Sequence, residues 1–262
     1  MKRHDFANRR PPSGLEPPRR LYGPHAVEAW LRHHPEQVQA VHYEAHPSTR
    51  VRALVRLAEV NGVVTRCGDA ETLTRLAATR RHQGVVAELG AFPYCELAEV
   101  LTSSPRLLIA ADQLQDPHNL GALLRTAAAV GIGAVVIPKD GAVGVTPAVE
   151  VAAAGAAAVV PVCRVTNLAR TLRALRDEGY WIVGMSPRDG VDLYALDPPA
   201  RIVVVLGGED GMRPLVAKSC DLRVSIPMVG RAESLNASVA VAVMVYEVQR
   251  RWGSWAQLGR DA

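Results

Sequence analysis

An asparagine and an arginine six residues apart open the chemical reading of this chain. The stretch Asp112-Gln-Leu-Gln-Asp-Pro-His-Asn119-Leu-Gly121 leads into a helical pattern that carries Arg125. An amide both donates and accepts hydrogen bonds, while a guanidinium is a permanent cation. Ligands of open α/β sheets collect in polar loops of this kind, beyond the carboxyl ends of the strands. Six residues are about one and two-thirds helical turns. Asn119 also stands where a helix N-cap would stand. On that simpler reading Arg125 is a surface charge.

Two further stretches are rich in small and polar groups. Gly207-Gly208-Glu209-Asp210-Gly211-Met212 follows the apolar run Ile202–Leu206, and glycines directly after a buried strand let a backbone approach a ligand closely. The spacing is not GxGxxG and no Lys-Ser/Thr follows, which disfavours a dinucleotide or nucleoside triphosphate site. The third stretch, Ile226-Pro-Met-Val-Gly-Arg-Ala-Glu-Ser-Leu-Asn-Ala-Ser238, opens the last helix. Ser234 is the expected cap, with Asn236 and Ser238 in the first turn. Polar groups at the start of a buried helix need partners, internal or from a ligand. Val239 to Val245 is apolar on every side, which predicts a helix buried all round. No metal-ligand cluster appears among the eight scattered histidines, and His33, His34 and His82 read as surface groups. Gly-x-Ser-x-Gly is absent, so a Ser-His-Asp hydrolase finds no support.

The elements that must position these residues form two α/β units. In the first, helices are expected at His25–His34, Ser48–Val60 (capped by Ser48) and Ala70–Ala77, with strands at Gln39–Tyr43, Gly62–Arg66 and Val85–Glu88. Residues 91–105, with two prolines and Thr-Ser-Ser, read as a linker. In the second, strands are expected at Leu107–Ala111, Ala134–Pro138, Ala158–Val162, Trp181–Met185, Ile202–Leu206 and Leu222–Ile226. Helices fall at Asn119–Val130, Val145–Ala154, Asn167–Glu178 and Leu235–Arg251. The strand–helix–strand step at its start implies a parallel sheet. The divisions are thus 1–20 as a basic disordered tail, 21–90, a linker at 91–105, 106–254, and a C-terminal tail at 255–262.

Composition narrows the class of function. The chain has 262 residues, 48% hydrophobic and 21% charged, which excludes wholesale disorder. Aromatics at 5% are too few for stacking platforms to dominate. The longest apolar stretch is far short of a membrane span, and the start lacks the apolar run of a signal peptide. Four cysteines without a CxxC pair fit a reducing cytoplasm rather than zinc or a disulfide scaffold. The net charge of +4 resides wholly in residues 1–20, where Lys2, Arg3, Arg9, Arg10, Arg19 and Arg20 outweigh Asp5 and Glu16. Such an arm suits a phosphate backbone, or is simply a Pro-rich tail.

Taken together, Asn119-Leu-Gly-Ala-Leu-Leu-Arg125, Leu206-Gly-Gly-Glu209 and Ile226–Ser238 resemble the three ordered motifs of the SpoU/TrmH branch of SPOUT methyltransferases. Arg164-Val-Thr-Asn-Leu-Ala-Arg-Thr171 and Leu21-Tyr-Gly-Pro-His-Ala-Val-Glu28 resemble the members that methylate a guanosine 2′-hydroxyl in 23S rRNA. The similarity runs from about Leu21 to Arg251. It implies an S-adenosylmethionine-dependent enzyme acting on an RNA ribose as a homodimer. It also implies a C-terminal parallel α/β sheet with a trefoil knot and a small L30e-like RNA-binding unit. Carried onto this chain, the cofactor contacts are Gly207, Gly208, Ile226, Met228, Leu235 and Ser238. Candidate phosphate contacts in the first unit are Arg50, Arg52, Arg56, Arg75, Arg80 and Arg81.

The resemblance assigns the reaction to Arg125, Asn119, Glu209, Asn236 and Ser234. Methyl transfer from a sulfonium needs an in-line approach and an oxygen that gains anionic character. Arg125 matches the family's essential arginine. Because a guanidinium stays protonated, its expected role is to stabilise the developing alkoxide or hold a neighbouring phosphate, not to act as a base. Asn119, Asn236 and Ser234 orient ribose or hold the loops, and Glu209 accepts a proton or steadies the cofactor loop. The family places two residues between its glutamate and the next glycine, whereas only Asp210 separates Glu209 from Gly211. The competing readings are a tRNA or antibiotic-resistance rRNA 2′-O-methyltransferase, and a non-catalytic RNA-binding ribosome-assembly protein. A nicotinamide-dependent dehydrogenase lacks its fingerprint.

Overall fold

The computed structural model describes residues 18–187 and 189–253. The proposed C-terminal tail and residues 1–17 of the proposed basic arm lie outside these. The chain first forms β1 (Arg19–Tyr22), α1 (Pro24–His33), β2 (Val38–Glu44), α2 (Thr49–Val60), β3 (Val64–Gly68), α3 (Ala70–Ala77) and β4 (Val85–Leu89). Their sheet has the order β1-β4-β2-β3, with only β2 and β3 parallel. Ser48 caps α2 as its sequence predicts, its hydroxyl accepting from the Val51 nitrogen. Val27, Leu31, Leu54 and Ala58 from α1 and α2 pack on Val41, Val85, Ala87 and Leu89 of the sheet. The intervening residues of β4 face the other way, where α3 places Leu73. His82 is buried there rather than exposed, bonded to the Thr74 hydroxyl and the Gly84 nitrogen.

Arg19 and Arg20 belong to a strand, not to a tail: they pair with Leu89 and Glu88 of β4. Arg19 reaches the second unit, where its side chain lies 3.3 Å from the buried carboxylate of Glu150 and over the rings of Trp30 and Phe92. Burial pushes the Glu150 carboxyl up to about 7 despite the Arg19 charge, and burial lowers Arg19. A carboxyl that binds its proton more tightly when folded makes stability fall as pH rises through the interval between its two pKa values. Here that interval runs from the ordinary 4.5 to about 7. Glu150→Gln removes the effect. Denaturant melts of both proteins across this range are expected to show the wild type losing up to about 3 kcal/mol relative to the variant as pH rises.

Segment 91–105 is more than a bare linker. Phe92 and Tyr94 pack against the cores, Cys95 donates its backbone N–H to the Val162 carbonyl, and α4 (Leu97–Thr102) follows. The second unit then runs β5 (Leu107–Ala111), α5 (Pro117–Val130), β6 (Ala134–Pro138), α6 (Pro147–Ala152), β7 (Val162–Val165), α7 (Leu168–Asp177), β8 (Trp181–Met185), β9 (Val191–Asp192), β10 (Ile202–Leu206), α8 (Pro214–Lys218), β11 (Leu222–Ser225) and α9 (Ala237–Arg251). The strand expected at Ala158–Val162 begins instead at Val162, after a short 3-10 turn at Ala156–Ala158. All neighbours in the sheet, ordered β7-β6-β5-β10-β8-β11-β9, are parallel.

Two helix starts differ from expectation. Asp116, not Asn119, caps α5, because Pro117 occupies the first helical position and the Asp116 carboxylate accepts from the His118 nitrogen at 2.9 Å. Asn236, not Ser234, caps α9 by accepting from the Ser238 nitrogen at 2.9 Å. Nor is α9 buried all round. Val241, Met244, Val245 and Val248 form the buried stripe, while Val239 and Tyr246 are 49% and 46% exposed. Among the described residues no helix is long and apolar enough to cross a membrane.

Candidate active site

Strand order reverses direction between β5 and β10, and clefts in open α/β sheets form at such points, beyond the carboxyl ends of the strands. Here the cleft measures about 1140 Å³. Its walls are Gln113–Asp116 with Asn119, Met185–Pro187 with Asp189, Leu206–Gly211, Ile226 with Met228, and Ser234–Ala237 with Ala240. Leu206, Met185, Ile226, Met228 and Leu235 supply apolar surface. The glycine loop supplies backbone polar groups. That combination suits a flat, partly apolar ligand with polar appendages.

The loop after β10 is folded tightly on itself. Gly208 and Gly211 form an antiparallel bridge, and the Gly211 nitrogen donates to the Gly208 oxygen at 3.0 Å. A Cβ on Gly208 would meet the Gln113 carbonyl oxygen at 2.4 Å, so the backbone itself closes this wall. Asp112, fully buried, anchors the loop's far end. Its carboxylate accepts from the Arg213 backbone nitrogen and Nε, both at 2.8 Å, and from Nη2 at 2.6 Å. The Asp112 nitrogen donates to the Leu206 oxygen at 2.8 Å. Nothing about a lone Asp and a lone Arg 101 residues apart reveals this latch in sequence.

Across the cleft, Asn236 Nδ2 donates to Asn119 Oδ1 at 2.8 Å. Asn236 Oδ1 accepts from both the nitrogen and the hydroxyl of Ser238, at 2.9 and 2.6 Å. These bonds fix which way the Asn236 amide faces. They also occupy the Asn119 oxygen, while its NH₂ group has no acceptor among the described residues. Ser238 stands behind Asn236 and does not line the cleft. Glu209 and Ser234 are exposed at the rim.

Of the sequence-predicted residues, Asn119, Glu209, Ser234, Asn236, Gly207, Gly208, Ile226, Met228 and Leu235 come together around the cleft. Arg125 does not line it. It is exposed on α5, the helix that begins at the cleft wall. The predicted arginines of the first unit are not one patch. Arg50, Arg52 and Arg56 share α2, while Arg75 lies on α3 beyond the sheet and Arg80 and Arg81 follow it in the turn. Arg50 is held by Glu28 at 3.3 Å and packs on His25. Among the described residues no cluster of His, Cys, Asp and Glu could hold a metal ion.

Residues 106–246, which include every wall of the cleft, match the model of the SpoU rRNA methylase family. The chain belongs to the SpoU rRNA methylase family. Residues 20–95 match a second model, described as RNA 2′-O ribose methyltransferase substrate binding. Among SpoU relatives, the chain is 44% identical to the 23S rRNA (guanosine-2′-O-)-methyltransferase RlmB of Ralstonia nicotianae, covering 88% of this chain and 95% of that one. It is 40% identical to the RlmB of Neisseria meningitidis, covering 94% and 97%. Its fold resembles the SpoU methyltransferase AviRb of Streptomyces viridochromogenes, solved in complex with AdoMet (TM-score 0.76, 24% identity, 90% of each chain). It also resembles a putative RNA methyltransferase of the TrmH family from Porphyromonas gingivalis (TM-score 0.73, 28% identity, 88% and 89%).

Proposed function

We propose that this chain transfers the methyl group of S-adenosylmethionine to the ribose 2′-hydroxyl of a guanosine in 23S rRNA. The observation that carries the proposal is the Asn119–Asn236 bond facing a glycine-walled cleft, in a chain 40–44% identical to RlmB enzymes over most of its length. The cofactor fits this cleft: Gly207 and Gly208 offer close backbone approach, and Ile226, Met228 and Leu235 offer apolar contact. When bound, it supplies an electrophilic methyl on a sulfonium.

The chain's own residues do the rest. Asn119, oriented by Asn236, presents its NH₂ group to the ribose, and Ser238 holds Asn236 in place. Arg125 stabilises the oxygen as it becomes anionic, since a guanidinium cannot act as the base. Glu209, exposed at the rim, accepts the hydroxyl proton. The unit at 21–90 is the L30e-like RNA-holding domain, with Arg50, Arg52 and Arg56 as a phosphate-contacting face, and 106–254 is the methyltransferase domain. Membership of the SpoU family supports a trefoil knot in this domain. The exposed Val239 and Tyr246 on α9 support a homodimer formed across that helix, working in the cytoplasm where ribosomes assemble.

The test pairs calorimetry with methyl transfer. S-adenosylmethionine should bind the full chain, and labelled methyl should map to a guanosine 2′-oxygen of 23S rRNA lacking the modification. Absence of cofactor binding by folded protein would overturn the reading.

A further inference from the structure

Beside the cleft, the carboxyl edge of the large sheet continues over β6 and β7 as a basic rim, and one tyrosine organises it. The hydroxyl of Tyr94 accepts a hydrogen bond from the Val145 nitrogen at 2.8 Å. Its ring lies under the Arg164 guanidinium at 4.9 Å. Gly144 belongs here because a Cβ would come within 3.0 Å of that hydroxyl. Arg164, exposed on β7, donates from Nη2 to the Lys139 carbonyl at 3.0 Å. The Lys139 nitrogen in turn donates to the Val165 oxygen at 2.9 Å, and the Val143 nitrogen to the Leu114 oxygen at 2.8 Å. Leu114 lines the cleft. Hydrogen-bonded loops thus run without a break from the cleft wall to Arg164.

Arg164 is held without being used up. Stacking and one carbonyl fix its plane, while Nε and Nη1 keep their donors and no carboxylate pairs with it among the described residues. Lys139 and Arg170, in the first turn of α7, are likewise exposed and unpaired among those residues, and Asp140 is the only carboxylate in the loop 139–145. A pre-oriented guanidinium fork with free donors suits bidentate contact with a phosphate, the anion that repeats along any RNA strand. Tyr94 also touches Phe92, at 4.9 Å between ring centroids, and Phe92 touches Trp30 at 5.9 Å. The rim is therefore mechanically continuous with the first unit.

We propose that Lys139, Arg164 and Arg170 form a phosphate-contact track that holds the RNA strand flanking the target ribose, with Arg164 on Tyr94 as its fixed point. This rests on the RNA methyltransferase reading above. The test uses the full chain and in-vitro-transcribed 23S rRNA, with binding followed across a salt series. Arg164→Gln removes one phosphate contact, so the log–log salt slope should shrink by about 0.7–0.9. KM for RNA should rise about tenfold, with kcat and the affinity for S-adenosylmethionine unchanged. Tyr94→Leu keeps the charge but frees it, so KM should rise while the slope stays. Arg201→Gln is the matched control: Arg201 stacks on Tyr180 at 4.1 Å and donates to the Glu178 carbonyl at the opposite edge of the sheet, and its loss should change neither value. An Arg164→Gln protein with wild-type slope and KM overturns the track. So does one whose cofactor affinity falls in parallel. Wild-type protein that neither binds nor methylates the RNA would instead refute the functional reading itself.

Discussion

Gly207→Ala is expected to abolish cofactor binding in a protein that remains folded. A Cβ at this position would lie 2.1 Å from the Gly211 carbonyl carbon, 2.4 Å from the Met212 nitrogen and 2.5 Å from the Gly211 oxygen. All three are backbone atoms, so no side-chain rotation relieves the clash. Nor can the opposing strand of the loop retreat freely, since Arg213 next to Met212 is bound to buried Asp112 through its backbone and side chain. The loop must open by more than an ångström at the wall assigned to the cofactor. The affinity for S-adenosylmethionine should fall at least about 100-fold by calorimetry, while overpacking of this kind costs about 1–3 kcal/mol in a thermal or denaturant melt. Wild-type affinity in the variant would show that the ligand does not lie against this loop.

Arg125→Ala is expected to lower kcat by about 10²–10³, the usual cost of removing one charge-stabilising donor from a developing oxyanion. Because Arg125 lies outside the cleft lining, its affinity for S-adenosylmethionine should not change. Arg125→Lys separates two forms of this role. A retained charge with most activity lost identifies the planar fork as the requirement, whereas near-full activity identifies charge alone. Undiminished kcat in Arg125→Ala would reduce Arg125 to a surface cation. Single-turnover assays at saturating RNA keep chemistry apart from binding.

The sequence is most transparent where burial leaves a single solution. Leu107–Ala111, Ile202–Leu206 and Trp181–Met185 are strands at the residues their apolar runs predict, because strands of a parallel sheet covered on both faces need no alternation. The three polar stretches singled out in the sequence, which follow β5, β10 and β11, do converge at one cleft. Competition between neighbouring polar residues is less readable. Asn119 and Ser234 both suit a cap, but Pro117 hands the first cap to Asp116, and Asn236 takes the second two residues downstream. Tertiary contacts are hidden altogether. Arg19 looks like part of a basic arm until Glu150, Trp30 and Phe92 surround it, and His82 looks like a surface group until α3 covers it. The apolar run of α9 predicts burial on all sides. What it cannot convey is that Val239 and Tyr246 stay about half exposed while Val241, Met244, Val245 and Val248 are buried.

The two bonds that close the cleft also bear on when it can form. Asp112 reaches forward 101 residues to Arg213, and Asn119 reaches 117 residues to Asn236. The first sheet, by contrast, is complete within residues 19–89. Contacts of such separation are entropically slow to close, and domains form in the order of synthesis. The strands of the first sheet are therefore all made long before the cleft exists. A chain cut short between Leu89 and Asn236 keeps every strand of the first sheet and lacks the Asn119–Asn236 bond across the cleft.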